Sequence, residues 1–148
     1  MIDSAIFHLA IPIDDVDAAK QFYASGLGCE VGRQNKSATI FNFFGTQLVC
    51  HTTREQLTRQ RGIYPRHLGL VLATKEDWEK LRDRAMEKKL TFYQQPKVRF
   101  FNQKLEHYTF FLEDPFYNLL EFKYYCDPEV IFGGVESNLI GDVSEQNS

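Results

Sequence analysis

Two histidines occupy matching places in this chain. His8 stands in FHLAIPI and His67 in RHLGLVL; each run is apolar and β-favourable, meets a short acidic or Thr turn, and passes into an amphipathic helical segment. Strand alternation puts His8 and Ala10 on one face and Phe7, Leu9 and Ile11 on the other, and His67, Gly69 and Val71 repeat this against Leu68, Leu70 and Leu72. A carboxylate joins them from YNLLEFK, where Glu121 shares a face with Leu119 and Lys123 in strongly apolar sequence. A buried, unpaired glutamate is costly or is forced neutral, so Glu121 needs a cation as partner. Two neutral imidazoles and one carboxylate make a three-ligand face that leaves positions open on a divalent ion. The alternative keeps both histidines bonded to neighbouring backbone and pairs Glu121 with an arginine such as Arg99.

The elements that would position these groups follow from pattern. Ile6 to Ile13 reads as a strand ending at Asp14 and Asp15, a helix N-cap, followed by Val16, Ala19, Phe22 and Tyr23 on one helical face, with Gly28 as the stop. ATIFNFFGTQLVCH reads as two strands about a tight turn at Gly45. After the Arg-rich connector TTREQLTRQRGIYPR the pattern restarts: a strand from His67 to Ala73, the capping-box form TKED, and Trp78, Leu81 and Ala85 on one helical face. Strands are then expected at Thr91 to Tyr93, Lys97 to Phe101, Glu106 to Leu112 and Asn118 to Tyr125. Superposing His67 on His8 carries Phe22 onto Leu81, so the second half repeats the first in pattern. The chain is therefore expected to be α+β, one domain over residues 1–132 built from modules at about 5–53 and 64–125, with a flexible tail over 133–148.

A length of 148 residues suits such a domain, and thirteen Phe and seven Tyr suit either an aromatic-lined cavity or a thick sheet core. A formal charge of -3 argues against a nucleic-acid surface and favours a small-molecule partner. Three widely spaced cysteines form neither a disulfide framework nor a CxxC motif, and no apolar run approaches the roughly 18 residues of a membrane span. A cytoplasmic protein with no membrane contact is expected.

With FHLAIPIDDVDAAKQFYASGLGCEVG, RHLGLVL and FFLEDPFYNLLEFK in view, the chain resembles the vicinal oxygen chelate superfamily, which holds glyoxalase I, the bleomycin-resistance proteins and the extradiol dioxygenases. GTQLVCH, VRF and LEFK narrow the resemblance to a branch described as extradiol-dioxygenase-related. The resemblance implies paired βαβββ modules whose mixed sheets curl around a metal cavity, a homodimer, and His8, His67 and Glu121 as metal ligands. It also implies a divalent ion: Fe(II) or Mn(II) for a redox reaction, with Zn, Ni, Co or Mn serving isomerase or lyase chemistry. Overlaying GTQLVCH on YNLLEFK sets Val49 opposite Glu121, so the first module lacks the carboxylate that gives glyoxalase I four protein ligands. The extradiol signature has a tyrosine and an upstream histidine before the D-P turn, whereas here Phe110 and Phe111 precede LEDP, His107 lies too close to the turn to match, and Tyr117 occupies the usual glycine place.

His51 and Lys123 are the acid–base candidates, each two residues past Val49 and Glu121 and so directed to the same face; the alternative for both is a solvated strand end. Tyr108 and Phe110 are candidates for the pocket wall or, more simply, the core, and Arg99 for a substrate carboxylate or a surface ion pair. The expected function is a glyoxalase- or dioxygenase-like metalloenzyme acting on vicinal oxygens of a small catecholic or enolisable substrate. The competing expectation is a non-catalytic binding protein of the bleomycin-resistance type.

Overall fold

The computed structural model describes residues 1–134 and 140–141. The first half runs β1 (His8–Ile13), α1 (Val16–Lys20), a π-helical continuation (Gln21–Gly26), β2 (Glu30–Gln34), β3 (Ala38–Phe43) and β4 (Thr46–Thr52). The second runs β5 (Leu68–Val71), α2 (Lys75–Glu87), β6 (Thr91–Arg99), β7 (His107–Glu113) and β8 (Leu119–Tyr125), followed by a 3-10 turn at Pro128–Val130. Each half makes one four-stranded mixed sheet, in the orders β1-β4-β3-β2 and β5-β8-β7-β6. In both sheets the first strand lies parallel to the last and the other neighbours are antiparallel. The α+β duplication read from the sequence is the architecture of the molecule.

Local chemistry sets the boundaries. Asp15 accepts from Ala18 N at 3.1 Å and Thr74 from Asp77 N at 3.1 Å, so each helix starts on a side-chain cap. The β3–β4 hairpin turns through Phe44 and Gly45 at φ 50° and 97°, the mirror-image turn whose twist matches the flanking strands. One expectation is corrected: Thr91 to Tyr93 and Lys97 to Phe101 are not two strands but one, β6, with register shifts between Phe92 and Gln94 and between Gln94 and Lys97. Pro96 does not break it, because β6 is an edge strand where a missing N–H can face solvent. Among the described residues no helix is long and apolar enough to cross a membrane.

The inward faces of both modules meet in one core that includes Phe22, Tyr23, Phe41 and Phe43 from the first half and Trp78, Leu81, Phe110 and Phe122 from the second. Phe110 and Tyr108 belong here, Phe110 fully buried and Tyr108 stacked 5.4 Å from Trp78, so neither lines a pocket. Polar ties cross between the halves. The Tyr23 hydroxyl donates to Asp114 Oδ2 at 2.6 Å, the Asn118 side-chain amide to Pro12 O at 3.4 Å, and Arg84 Nε to Gly26 O at 2.8 Å. Tyr23→Phe is expected to cost about 1–2 kcal/mol and Asp114→Ala more, since the latter also orphans donors of Phe116 and Asn118; urea-denaturation midpoints measure both.

Candidate functional site

The faces of the two sheets that turn away from this core carry the polar residues. In the second sheet Gly69 pairs with Glu121 and Val71 with Lys123, while Phe111 and Thr109 flank the same two residues from β7. A Cβ at Gly69 would overlap the Glu121 carbonyl, so glycine at that position is what lets β5 lie against β8. His67, immediately before β5, donates from Nδ1 to Ile63 O at 2.7 Å and turns Nε2 to Glu121 Oε1 at 3.2 Å. The other carboxylate oxygen accepts from the fully buried Thr109 hydroxyl at 2.6 Å. Lys123 Nζ stands 3.8 Å from Oε1, and the Phe111 ring meets the His67 ring edge-on at 5.1 Å.

These contacts set the electrostatics. The hydrogen bond to Glu121 raises the His67 pKa above 6.5 against the opposing effect of burial. Burial pushes the Glu121 carboxyl up, but the bonds from His67 and Thr109 outweigh it and hold the group below the usual glutamate range. A cavity of about 400 Å³ opens beside the pair, lined by Arg99, His107, Lys123 and Tyr125 among others. His107, which fails to match the family signature, is buried on this wall: its Nδ1 donates to Leu105 O at 2.9 Å, and its ring stacks on Tyr125 at 4.8 Å. Burial, then Lys123 and Arg99, lower its pKa and keep the ring neutral. Alternation along HYTFFLE, which puts His107, Thr109 and Phe111 on the Glu121 side, is the signal that marks both His107 and Thr109.

The first sheet repeats the layout with different groups. His8 pairs with Gln47, Ala10 with Val49 and Pro12 with His51, so Val49 stands where Glu121 stands and His51 where Lys123 does. His8 donates from Nδ1 to Gln47 Oε1 at 2.7 Å, a bond that does not use its Nε2. Both His8 and His51 are exposed. The fold thus brings His67, Glu121 and Lys123 together on one sheet and His8 with His51 on the other. Among the described residues of one chain, no three His, Cys, Asp or Glu side chains converge as a metal site. Burial pushes the Cys29 and Cys50 thiols up to about 12, leaving them protonated and poor ligands. A larger cavity of about 600 Å³ lies by the π-helical turn, away from His67, and its Asp114 wall is already saturated with hydrogen bonds. Of the tail expected to be flexible, Gly133, Gly134, Ile140 and Gly141 are described, Ile140 and Gly141 on the rim of the His67 cavity; the rest lies outside the described residues.

A family model for the glyoxalase/bleomycin resistance protein/dioxygenase superfamily matches residues 5–122. The chain belongs to that superfamily. A glyoxalase/bleomycin resistance protein/dioxygenase from Alicyclobacillus acidocaldarius shares 41% identity over 86% of this chain and 96% of that one, with a TM-score of 0.81. The fold alone is shared with the fosfomycin resistance protein FosX of Listeria monocytogenes, at 13% identity over 83% and 94% of the two chains and a TM-score of 0.64. It is also shared with a lactoylglutathione lyase from Agrobacterium tumefaciens, at 19% identity over 82% and 93% and a TM-score of 0.61. No curated protein matches the chain.

In this superfamily member the His67–Glu121 pair makes a signed prediction for the metal-free protein. The gain from the raised His67 pKa is full below its unfolded value of 6.5 and is lost as pH rises through the folded one. The gain from Glu121 is present above its unfolded value and is lost as pH falls through the depressed folded one. The pair therefore stabilises most at weakly acidic pH. Thermal melts in a chelator should show the wild-type advantage over Glu121→Gln shrinking as the pH rises above about 6.5.

Proposed function

We propose that this chain is a metal-dependent enzyme of the glyoxalase or extradiol dioxygenase type, acting on adjacent oxygens of a small catecholic or enolisable substrate. His67 and Glu121 of one copy and His8 of a second copy would hold a divalent ion, Fe(II) or Mn(II) by preference and Zn, Ni or Co for non-redox chemistry. The observation that carries the reading is the 3.2 Å approach of His67 Nε2 to Glu121 Oε1. Two ligand atoms bound at about 2.0–2.2 Å to one ion stand roughly 3 Å apart, so the pair is already spaced as neighbours in a coordination shell. The remaining atoms of both groups are tied by Ile63 and Thr109, the outer-shell bonding that fixes tautomer and orientation of metal ligands.

A bound divalent cation would supply electrostatic stabilisation of negative charge on two adjacent substrate oxygens. The protein does the rest. Thr109 holds Glu121 in one rotamer, and Phe111 covers an edge of the His67 ring against water. Lys123, its Nζ held by the Tyr125 hydroxyl at 3.1 Å, presents positive charge to the substrate anion. His51 lies on the same sheet face as His8, so the copy that brings one brings the other, and its imidazole nitrogen takes up and returns the substrate proton. The exposure of His8, Ala10 and Pro12 on edge strand β1 supports assembly with a second copy as a homodimer.

A second reading, a non-catalytic binding protein of the bleomycin-resistance type, draws on the finding that, among the described residues of one chain, no three ligands converge. Metal analysis after anaerobic purification separates the two: one ion per site, lost in His67→Ala, fits the enzyme, and no metal in either form fits the binder. Mixing His8→Ala and His67→Ala chains tests the shared site. Random reassociation should restore about a quarter of the sites, because each heterodimer keeps one intact set, whereas a site within one chain restores none. Thr109→Val should weaken metal binding by about tenfold while Thr109→Ser retains it, as read by Co(II) titration.

A further inference from the structure

His107 and Tyr125 stand opposite each other across β7 and β8, and both line the cavity beside the His67–Glu121 pair. Tyr125 lies four residues beyond Glu121 on β8, about 13 Å along the strand, so this row is the end of the cavity away from the pair. His107 is only 6% exposed, and its ring centre is 4.8 Å from that of Tyr125. Its Nδ1 lies 2.9 Å from Leu105 O, and a carbonyl can only accept, so the proton sits on Nδ1. Burial lowers the pKa of the ring and keeps it neutral. Nε2 therefore carries a lone pair. Beside it the Tyr125 oxygen accepts from the Lys123 ammonium at 3.1 Å, which leaves the phenolic proton to donate. Among the described residues nothing bonds Nε2 or receives that proton. An acceptor and a donor thus sit side by side on the cavity wall without partners, where such groups ordinarily have them.

The pairing selects the charge of what binds. An anionic group would set its lone pairs against that of Nε2. A cation would have to stand beside Lys123, whose acidic neighbour Glu121 is 3.8 Å away and already bonded to His67 and Thr109. A neutral hydroxyl meets both demands, because it donates one hydrogen bond and accepts another. Phe100 adds apolar surface here, its ring centre 5.9 Å from that of His107. It holds φ 52°, a costly conformation for a residue with a side chain and one that collects at ligand sites. The space of about 400 Å³ leaves room for a small ring behind the hydroxyl.

We propose that His107 and Tyr125 are the specificity-determining pair of this cavity, recognising a neutral hydroxyl at one end of the ligand: the hydroxyl donates to His107 Nε2 and accepts from the Tyr125 phenol. The proposal rests on the cavity being the substrate site, but its test needs no metal and no turnover. Phenol and toluene, which carries a methyl group in place of the hydroxyl, are titrated calorimetrically into the chelator-treated full chain. Phenol should bind about tenfold or more tightly, because toluene leaves both wall groups unpaired. It should also outbind benzylamine, an ammonium at neutral pH. His107→Phe, which keeps a ring against Tyr125 but removes the acceptor, should abolish the preference for phenol, and His107→Gln, which restores an acceptor oxygen, should recover part of it. Tyr125→Phe should weaken it, and Gln21→Ala, on the larger cavity, should leave it intact. Phenol that fails to bind, or binds no better than toluene or benzylamine, overturns the proposal, as does a preference that survives both His107→Phe and Tyr125→Phe or vanishes with Gln21→Ala. Should His107→Phe fail to fold by circular dichroism, the wild-type ratios and Tyr125→Phe decide. Phenol preference without metal binding would sink the enzyme reading and keep this one; metal binding without the preference would do the opposite.

Discussion

Four hydrogen bonds converge on the Asp114 carboxylate, one from the Tyr23 hydroxyl of the first module and three from Phe116 and Asn118 in the turn that launches β8. The same Asn118 amide reaches Pro12 O in β1, so one buried acid fixes the strand bearing Glu121 to the helix and first strand of the other half. Burial lifts the pKa of Asp114 even against these bonds. Burial and the neighbouring charge also raise that of Tyr23 far above 10, so its hydroxyl is always a donor. A buried charge is tolerable only when so thoroughly bonded, and that requirement makes the relation between the modules specific rather than merely hydrophobic.

Once the modules are locked in this way, the helices and apolar strand faces are consumed by the shared core, and the opposite faces of both sheets are left for chemistry. Their contents differ in readiness. The second sheet presents a pair whose polar atoms are all bonded, His67 to Ile63 and Glu121 and Glu121 to His67 and Thr109, at the edge of a cavity. The first presents His8 with its tautomer set by Gln47 and His51 beside it, both open to solvent.

Much of this was legible in the residues, and the part that was not has a common cause. Alternation gave the faces of His8, His67 and Glu121 correctly, capping residues marked both helix starts, and the overlay of Val49 on Glu121 matches the observed registers. Period two tells which face a residue takes within a sheet; it does not tell which faces meet. That is why the sequence grouped His8 with His67 and Glu121 while one folded chain keeps His8 on the other sheet. The strands expected on either side of Pro96 join as one, because edge position, a tertiary property, decides whether a proline interrupts a strand. His107 was set aside for its spacing to the D-P turn, although its place on the wall follows from counting in twos from Phe111. Thr109 escaped because a buried hydroxyl carries no signal until its acceptor is known.

The unequal division of charge between the repeats has a physical logic under the proposed pairing of copies. A carboxylate taken out of water by association costs several kcal/mol unless its partners are in place beforehand, whereas a neutral imidazole costs far less. Glu121 sits where Thr109 and His67 of its own chain satisfy it before any partner arrives. The face that would be desolvated on assembly carries Val49 in the carboxylate's place, with His8 and His51 as its titratable members. Had position 49 kept an acid, the exposed first sheet would hold an unsupported negative charge, and each assembled site would carry two carboxylates competing for one ion. Valine in place of an acid would lower the cost of that association and leave each ion one carboxylate, hence a residual positive charge toward an anionic ligand.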